Sequence, residues 1–196
     1  LKVDTIQDTA GNNIINESSD TITIGASGDT IALAGTTVTG ITQGITEADQ
    51  FRLTASIVGT NADITSNLER VDDATFSKIG TGMSESSGVF TFPTTGIYEL
   101  SCNVMISTTS DSNAQIEVKV SSNSGGAYDV VNNINAGNNN SSSINVSVSG
   151  KTFVDVTNAS TFRVKFATTS FGGSSYVTGD TSSNYTYFTF IRLGNT

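Results

Sequence analysis

The sequence contains no histidine, no tryptophan, one cysteine and one proline in 196 residues. Without histidine, and with a single cysteine, it cannot form a Cys/His zinc site, a Ser-His-Asp triad or a thiolate–imidazole pair. A single cysteine also permits no intrachain disulfide, which excludes a disulfide-stapled secreted scaffold. The carboxylates are therefore the only candidates for chemistry.

Charge is scarce as well, with nine basic and 18 acidic residues and a net charge of −9. This balance argues against a nucleic-acid partner, because phosphate binding needs a cationic surface. No apolar run approaches the ~20 residues of a membrane span, and no signal peptide is visible at the start. We therefore expect no nucleic-acid partner and no membrane span.

The acidic residues show no catalytic arrangement. Asp72 and Asp73 are adjacent, but neighbours on a strand point to opposite faces, and we interpret the pair as a polar turn before Phe76. No other two acidic residues stand out as the catalytic carboxylates of a glycosidase. The sequence also contains no recognisable calcium-binding loop or phosphate-binding loop. We predict that the protein is not an enzyme and has no catalytic residues, no metal and no cofactor.

The residues that are abundant indicate β-structure. Serine, threonine, asparagine and glycine make up nearly half of the chain, and threonine suits strands while asparagine and glycine suit turns. Alternating apolar runs recur without any helical periodicity, and we expect about eight to ten strands. These runs are Phe51–Ile57, Phe76–Ile79, Val89–Phe92, Ile97–Ile106, Ile116–Val120, Val130–Val131, Ile144–Val148, Phe153–Val156, Phe162–Phe166 and Tyr185–Leu193. The pattern predicts an all-β, antiparallel sandwich, most naturally a jelly roll.

The run from Ile97 to Ile106 predicts one long strand with an apolar face. That face carries Tyr98, Leu100, Cys102, Val104 and Ile106. Cys102 is then most simply a small core residue.

The N-terminal region differs from the rest of the chain in composition and in sequence pattern. Residues 1–45 contain no aromatic residue, and the segment DTITIG at 20–25 recurs as DTIALA at 29–34. Such short units need stacked neighbours or other chains to bury their apolar edge. We predict a repetitive β-rich arm or stalk over 1–45, with a disordered polar tail as the alternative, and a head over 50–196.

The last predicted strand is apolar on both faces. Phe188 and Phe190 share one face, and the opposite face carries Tyr185, Tyr187, Ile191 and Leu193. A sandwich strand with one face in water should not show this pattern, so we predict a subunit interface at the second face. Coverage by a loop such as 170–184 is the alternative.

Three polar segments separate the strands, at 121–126, 135–143 and 170–184. Serine, asparagine and glycine offer adaptable hydrogen bonds, and tyrosine offers flat contact area, as in antibody loops. The candidate recognition residues are Asn123, Tyr128, Asn138, Phe171 and Tyr176. Recognition of a glycan or protein and a role as plain solvated connections are equally compatible with this pattern.

The spacing of one motif resembles the core of the complement-type and tumour-necrosis-factor-like globular heads. The motif consists of Gly88, Phe90, Pro93, Gly96 and Tyr98. Residues 76–80 resemble the strand before that core, and 161–166 and 187–194 resemble the closing strands. The resemblance covers about residues 50–196 and implies a ten-stranded jelly roll assembled as a homotrimer.

Residues 1–17, together with the DTITIG repeat, resemble the N-terminal segment of bacteriophage tail-fibre and structural proteins. This resemblance implies a fibre or spike made in the host cytoplasm and displayed on the virion surface. Its arm would bind other virion proteins, and its head would adhere to a host glycan or protein. A capsid head-decoration protein, and a secreted bacterial adhesin or matrix protein, are the alternatives.

Overall fold

The computed structural model describes residues 44–172 and 174–196. All but the last two residues of the predicted arm over 1–45 lie outside the described residues. Within this part of the chain there are twelve strands and no helix. The strands are β1 (Ala48–Leu53), β2 (Ala55–Val58), β3 (Leu68–Arg70), β4 (Ser84–Ser86), β5 (Val89–Thr91), β6 (Gly96–Thr108), β7 (Asp111–Ser121), β8 (Asp129–Asn138), β9 (Ile144–Val156), β10 (Arg163–Thr169), β11 (Tyr176–Asp180) and β12 (Tyr187–Gly194).

The strands form two antiparallel sheets. One has seven strands in the order β2-β11-β6-β12-β1-β3, with β9 paired to the other edge of β6, and the second has the order β4-β5-β10-β7-β8. The chain crosses repeatedly between the sheets, for example from β5 to β6, from β6 to β7 and from β8 to β9. This arrangement confirms the predicted all-β, antiparallel jelly-roll sandwich.

Phenylalanine rings join the two sheets in the core. Phe90 of β5 contacts Phe51 and Phe190, each at 5.1 Å between ring centroids. Phe166 of β10 stacks on Phe188 of β12 at 3.8 Å. Because β5 and β10 belong to one sheet and the other three rings to the opposite sheet, these contacts span the sandwich. Aromatic pairs of this kind add about 0.5–1.5 kcal/mol each beyond the area they bury.

The long strand β6 confirms the predicted apolar face. Its five inward side chains are all buried, namely Tyr98, Leu100, Cys102, Val104 and Ile106. Cys102 is a core residue, and burial raises the pKa of its thiol well above the ordinary value.

Both glycines of the motif that carries the family resemblance have a structural role. Gly88 adopts φ +80°, and a Cβ there would lie 2.0 Å from the carbonyl oxygen of Ile64. Gly96 adopts φ +143°, and a Cβ there would lie 2.4 Å from the carbonyl oxygen of Gly194. Both positions therefore require glycine for its backbone conformation and for space.

Tyr98 closes the turn that contains Pro93. Its hydroxyl donates to the carbonyl oxygen of Thr94 at 3.1 Å, and its ring lies 4.7 Å from that of Phe92. Burial raises the pKa of Tyr98 above its ordinary value of 10.0, so the hydroxyl remains a donor at neutral pH.

Several predicted strand boundaries are wrong. The run Phe51–Ile57 is divided between β1 and β2, because β1 pairs with β12 whereas β2 pairs with β11. The two runs within 144–156 form a single strand that pairs along all of β6. Residues 76–79 form no strand, and Ile79 makes only an isolated bridge with Ala48. The described residues hold twelve strands, more than the eight to ten expected, because β3, β4 and β11 were not among the predicted runs.

Candidate functional site: an exposed sheet face

The side of the seven-stranded sheet that faces away from the core is the candidate interaction surface, and we call it the outer face. Its strands β12, β6 and β9 lie side by side, and β9 is at one edge of the sheet. The register aligns Ile191 with Glu99 and Glu99 with Phe153, and it aligns Tyr187 with Asn103. These residues alternate with buried ones along each strand, so they share the side opposite the core.

The predicted interface residues of the last strand lie at or beside this surface. Tyr187 and Ile191 are half-buried on the outer face. Tyr185, just before β12, is 47% exposed, and Leu193, at a register shift near its end, is 51% exposed. In the described part of the chain, therefore, the segment 170–184 leaves these two side chains in contact with solvent.

Sequence reasoning missed one residue of the outer face. Phe153 is 67% exposed, the largest value among the exposed large apolar side chains of the described residues. The sequence placed it within a short apolar run together with Val154 and Val156, both of which are buried. Alternation along β9 could have separated Phe153 from them, but only once the register was known.

A cavity of about 280 Å³ opens on the outer face between β12, β6 and β9. Tyr185 and Tyr187 line it together with Asn103, Met105 and Ser149. None of the described residues that line it carries a charged side chain. The walls combine aromatic rings and a thioether with a few amide and hydroxyl groups, which suits a largely apolar occupant.

Polar contacts cross the remainder of the outer face. Lys151 Nζ donates to Glu99 Oε1 at 2.8 Å, and Ser101 Oγ donates to the same oxygen at 3.1 Å. The bond from Lys151 holds the pKa of Glu99 below its ordinary value of 4.5. Gln50 Nε2 donates to Thr189 Oγ1 at 2.9 Å. These groups satisfy one another within the protomer.

A cluster around Arg52 borders the same face and was not predicted. Arg52 is aligned with Tyr187 and is 2% exposed. Its Nε donates to Glu69 at 2.7 Å and its other nitrogens donate to Asp73, at 2.9 Å, and to Asp72. A buried guanidinium without such partners would be costly. The β1–β3 pairing that brings Glu69 beside Arg52 could not be read from the sequence.

Asp72 and Asp73 lie outside strands, as expected for a polar segment before Phe76. Because neither residue is in a strand, their carboxylates need not point to opposite faces. Both reach the one guanidinium. Their role in this structure is to pair with Arg52.

Two of the five candidate recognition residues are corrected by the structure. Asn138 is buried and donates from Nδ2 to the carbonyl oxygens of Thr108, at 3.0 Å, and Ser142, at 2.8 Å. Phe171 is buried in the core. Asn138 is the last residue of β8, whereas Phe171 lies between β10 and β11, where its backbone nitrogen donates to Asn61 Oδ1 at 2.9 Å.

The other three candidates remain at the surface. Asn123 is exposed, and its Oδ1 accepts from the backbone nitrogen of Ala127 at 2.9 Å. Tyr128 is half-buried beneath Lys165, whose Nζ lies 3.9 Å from the ring centroid. Tyr176 is exposed at the start of β11. Tyr176 lies on the outer face, aligned with Ser107 of β6, whereas Asn123 and Tyr128 lie between β7 and β8 of the other sheet, so the structure does not gather the three at one surface.

Residues 44–172 and 174–196 contain no group of three or more His, Cys, Asp or Glu side chains placed to hold a metal ion. No helix within those ranges is long and apolar enough to span a membrane.

No protein-family model matches the sequence, and no curated protein matches it significantly. Solved structures do match in fold. The Eiger TNF structure from S. frugiperda is 8% identical with a TM-score of 0.59, over 76% of this chain and 93% of that one. Murine APRIL at pH 5.0 is 11% identical with a TM-score of 0.54, over 75% and 98%.

A third match is the globular domain of the zebrafish complement 1qA protein, at 15% identity and a TM-score of 0.48, over 76% of this chain and 99% of that one. The fold assignment rests on the first two matches. At these identities the likeness concerns the fold alone, and the chain has the jelly-roll fold of the Eiger TNF and APRIL structures.

Proposed function

We propose that this protein is a non-enzymatic structural protein of a bacteriophage particle. Its head, residues 50–196, self-associates as a homotrimer and adheres to the host surface, and its N-terminal arm binds other virion proteins. The observation that carries the self-association is the group of exposed apolar side chains on or beside the outer face of the seven-stranded sheet. The observation that supports the phage assignment is the resemblance of residues 1–17 to fibre-type N-terminal segments.

Burial of the outer face in an assembly would be favourable because it removes apolar side chains from water. Phe153, Tyr185 and Leu193 together expose apolar surface on or beside one sheet face. Apolar surface exposed on one face of a soluble protein commonly marks an interaction site. The family resemblance implies three copies, and three copies present each surface loop three times, which multiplies weak contacts with a host surface.

Light scattering on the purified chain tests the assembly. A trimer has three times the 20.3 kDa of one chain, and we expect that mass for the wild type. Tyr187→Asp places a charge on the outer face and should reduce the mass toward that of one chain. A wild type with the mass of a single chain contradicts the homotrimer.

Antibody labelling of intact particles tests the location. Label on tail fibres supports the fibre or spike role, and label over the capsid supports the runner-up, a head-decoration protein that stabilises the shell. Particles without label, combined with protein recovered from bacterial culture medium, favour the alternative of a secreted adhesin or matrix protein.

Binding of the assembled head to host cells tests adhesion. The surface candidates Asn123, Tyr128 and Tyr176 are changed one at a time to alanine. Loss of cell binding with unchanged mass identifies a recognition residue. A head that binds no host cells contradicts the adhesive role and leaves the decoration role.

A further inference from the structure

The outer face carries a projecting side chain and a cavity at different places. Phe153 projects from β9 and is 67% exposed. The cavity of about 280 Å³ lies between Tyr185 and Tyr187 on one side and Ser147 and Ser149 on the other. A cavity of roughly 150 Å³ already holds a benzene ring, so the space is sufficient for a phenyl side chain.

Phe153 cannot fill the cavity of its own chain. It is aligned with Glu99, whereas the cavity is bounded by Ser149, which is aligned with Asn103. Four residues along a strand span roughly 13 Å, and this is longer than a phenylalanine side chain. Any phenyl ring that occupies the cavity from this position must come from another copy of the chain.

The chemistry of the cavity suits that occupant. No charged side chain is found among its described lining residues, so an entering ring buries no unpaired charge. Tyr185 and Tyr187 offer aromatic contacts and Met105 offers a sulfur–aromatic contact. The neighbouring charged pair, Lys151 and Glu99, is already satisfied within the protomer at 2.8 Å.

The position of β9 makes Phe153 accessible to a second copy. In the described residues β9 pairs only with β6, so its other edge carries no strand partner. Asn132 of β8 covers part of that edge by donating to the carbonyl oxygen of Lys151 at 3.0 Å, but Phe153 itself stays exposed on the outer face. An approaching copy would therefore meet Phe153 at the margin of the sheet.

We propose that Phe153 of one copy enters the cavity between Tyr185 and Tyr187 of the next copy. This contact rests on the self-association proposed above and specifies which groups make it. The projecting ring and the cavity occupy different places on each chain, so the contact is head-to-tail. Three copies joined in this way can form a closed ring in which each cavity is filled by the Phe153 of a neighbouring copy.

The first test is the mass of Phe153→Asp, with Val130→Asp as the matched control. Val130 is also an exposed apolar strand residue, at 50%, but it lies on β8 of the other sheet. We expect Phe153→Asp to reduce the threefold mass to that of one chain and Val130→Asp to retain it. Circular dichroism confirms that both variants are folded.

The second test does not require a substitution that breaks the assembly. The double variant Phe153→Cys with Ser149→Cys is treated with a short bis-maleimide linker, and each single variant serves as a control. We expect covalent products between chains in the double variant only, because each link joins position 153 of one copy to position 149 of the next. Cys102 is buried and stays unmodified.

The outcomes separate this inference from the proposed assembly. A wild type that is monomeric overturns both. A wild type that assembles, with Phe153→Asp also assembled or with no linkage between chains in the double variant, overturns only the role of Phe153. If Phe153→Asp does not fold, the linkage experiment decides.

Discussion

Lys151 of β9 and Glu99 of β6 form an ion pair of 2.8 Å between aligned strands on the outer face. Lys151 is 67% exposed and Glu99 is 20% exposed. Solvent therefore screens the pair, and its contribution to folding stability is below about 1 kcal/mol. Its electrostatic effect is still measurable, because the hydrogen bond lowers the pKa of Glu99.

We expect Lys151→Ala to raise the pKa of Glu99 toward its ordinary value of 4.5. The stability that the lowered pKa contributes is present above the unfolded value and is lost as the pH falls through the folded pKa. The wild type should therefore lose this increment below about pH 4.5. An NMR pH titration that follows the carboxyl carbons of the glutamates measures this change in the pKa of Glu99.

The control for that titration is Lys78→Ala. Lys78 is exposed, and its Nζ donates to the carbonyl oxygens of Gly80 and Thr81 rather than to a carboxylate. This variant should leave the pKa of Glu99 unchanged. An equal shift in both variants would show that the effect is not specific to the pair.

The buried Arg52 should contribute strongly to stability. Arg52→Met leaves Glu69, Asp72 and Asp73 close together without their shared cation. We expect a loss of about 3 kcal/mol in the free energy of unfolding, measured by urea denaturation. Arg52→Lys should lose part of this, because an ammonium cannot donate to three carboxylates with the geometry of a guanidinium.

Arg163→Met is the matched control for Arg52. The guanidinium of Arg163 donates to the main-chain oxygens of Phe162 and Ser160. We expect a loss below about 1 kcal/mol for this variant. Equal losses for the two arginines would contradict a special role for the carboxylate cluster.

Gly96→Ala should destabilise the turn that precedes β6. The φ of +143° suits glycine alone, and the new Cβ would lie 2.4 Å from the carbonyl oxygen of Gly194. We expect a loss of about 2–3 kcal/mol in urea denaturation. Gly172→Ala, where a Cβ would meet nothing within 4 Å, should cost much less.

The thiol of Cys102 should be inert in the folded protein. It is fully buried, and burial raises its pKa, so the reactive thiolate is suppressed. We expect no reaction with a thiol-specific disulfide reagent in native buffer and one reactive thiol per chain in denaturant. Rapid labelling of the native protein would contradict the core position.

The apolar alternation predicted β6 and its buried face because side-chain direction along a strand is a local property with period two. The turn at Pro93–Gly96 was recognisable for a similar reason, but the close approach of Gly88 to Ile64 and of Gly96 to Gly194 was not, because these partners are far apart in sequence. The strand boundaries at Thr54 and within 144–156 were not recognisable, because they depend on which distant strand each segment pairs with.

The sequence by itself determined the fold class, the phenylalanine-rich core and the scarcity of reactive groups, because composition and alternation are properties of the chain. Only the tertiary structure decided that Arg52 meets three carboxylates and that Asn138 and Phe171 turn inward. It also decided that Phe153 stands exposed on the same face as the Tyr185–Tyr187 cavity. Each of these depends on strand register between residues far apart in sequence, which local patterns do not encode.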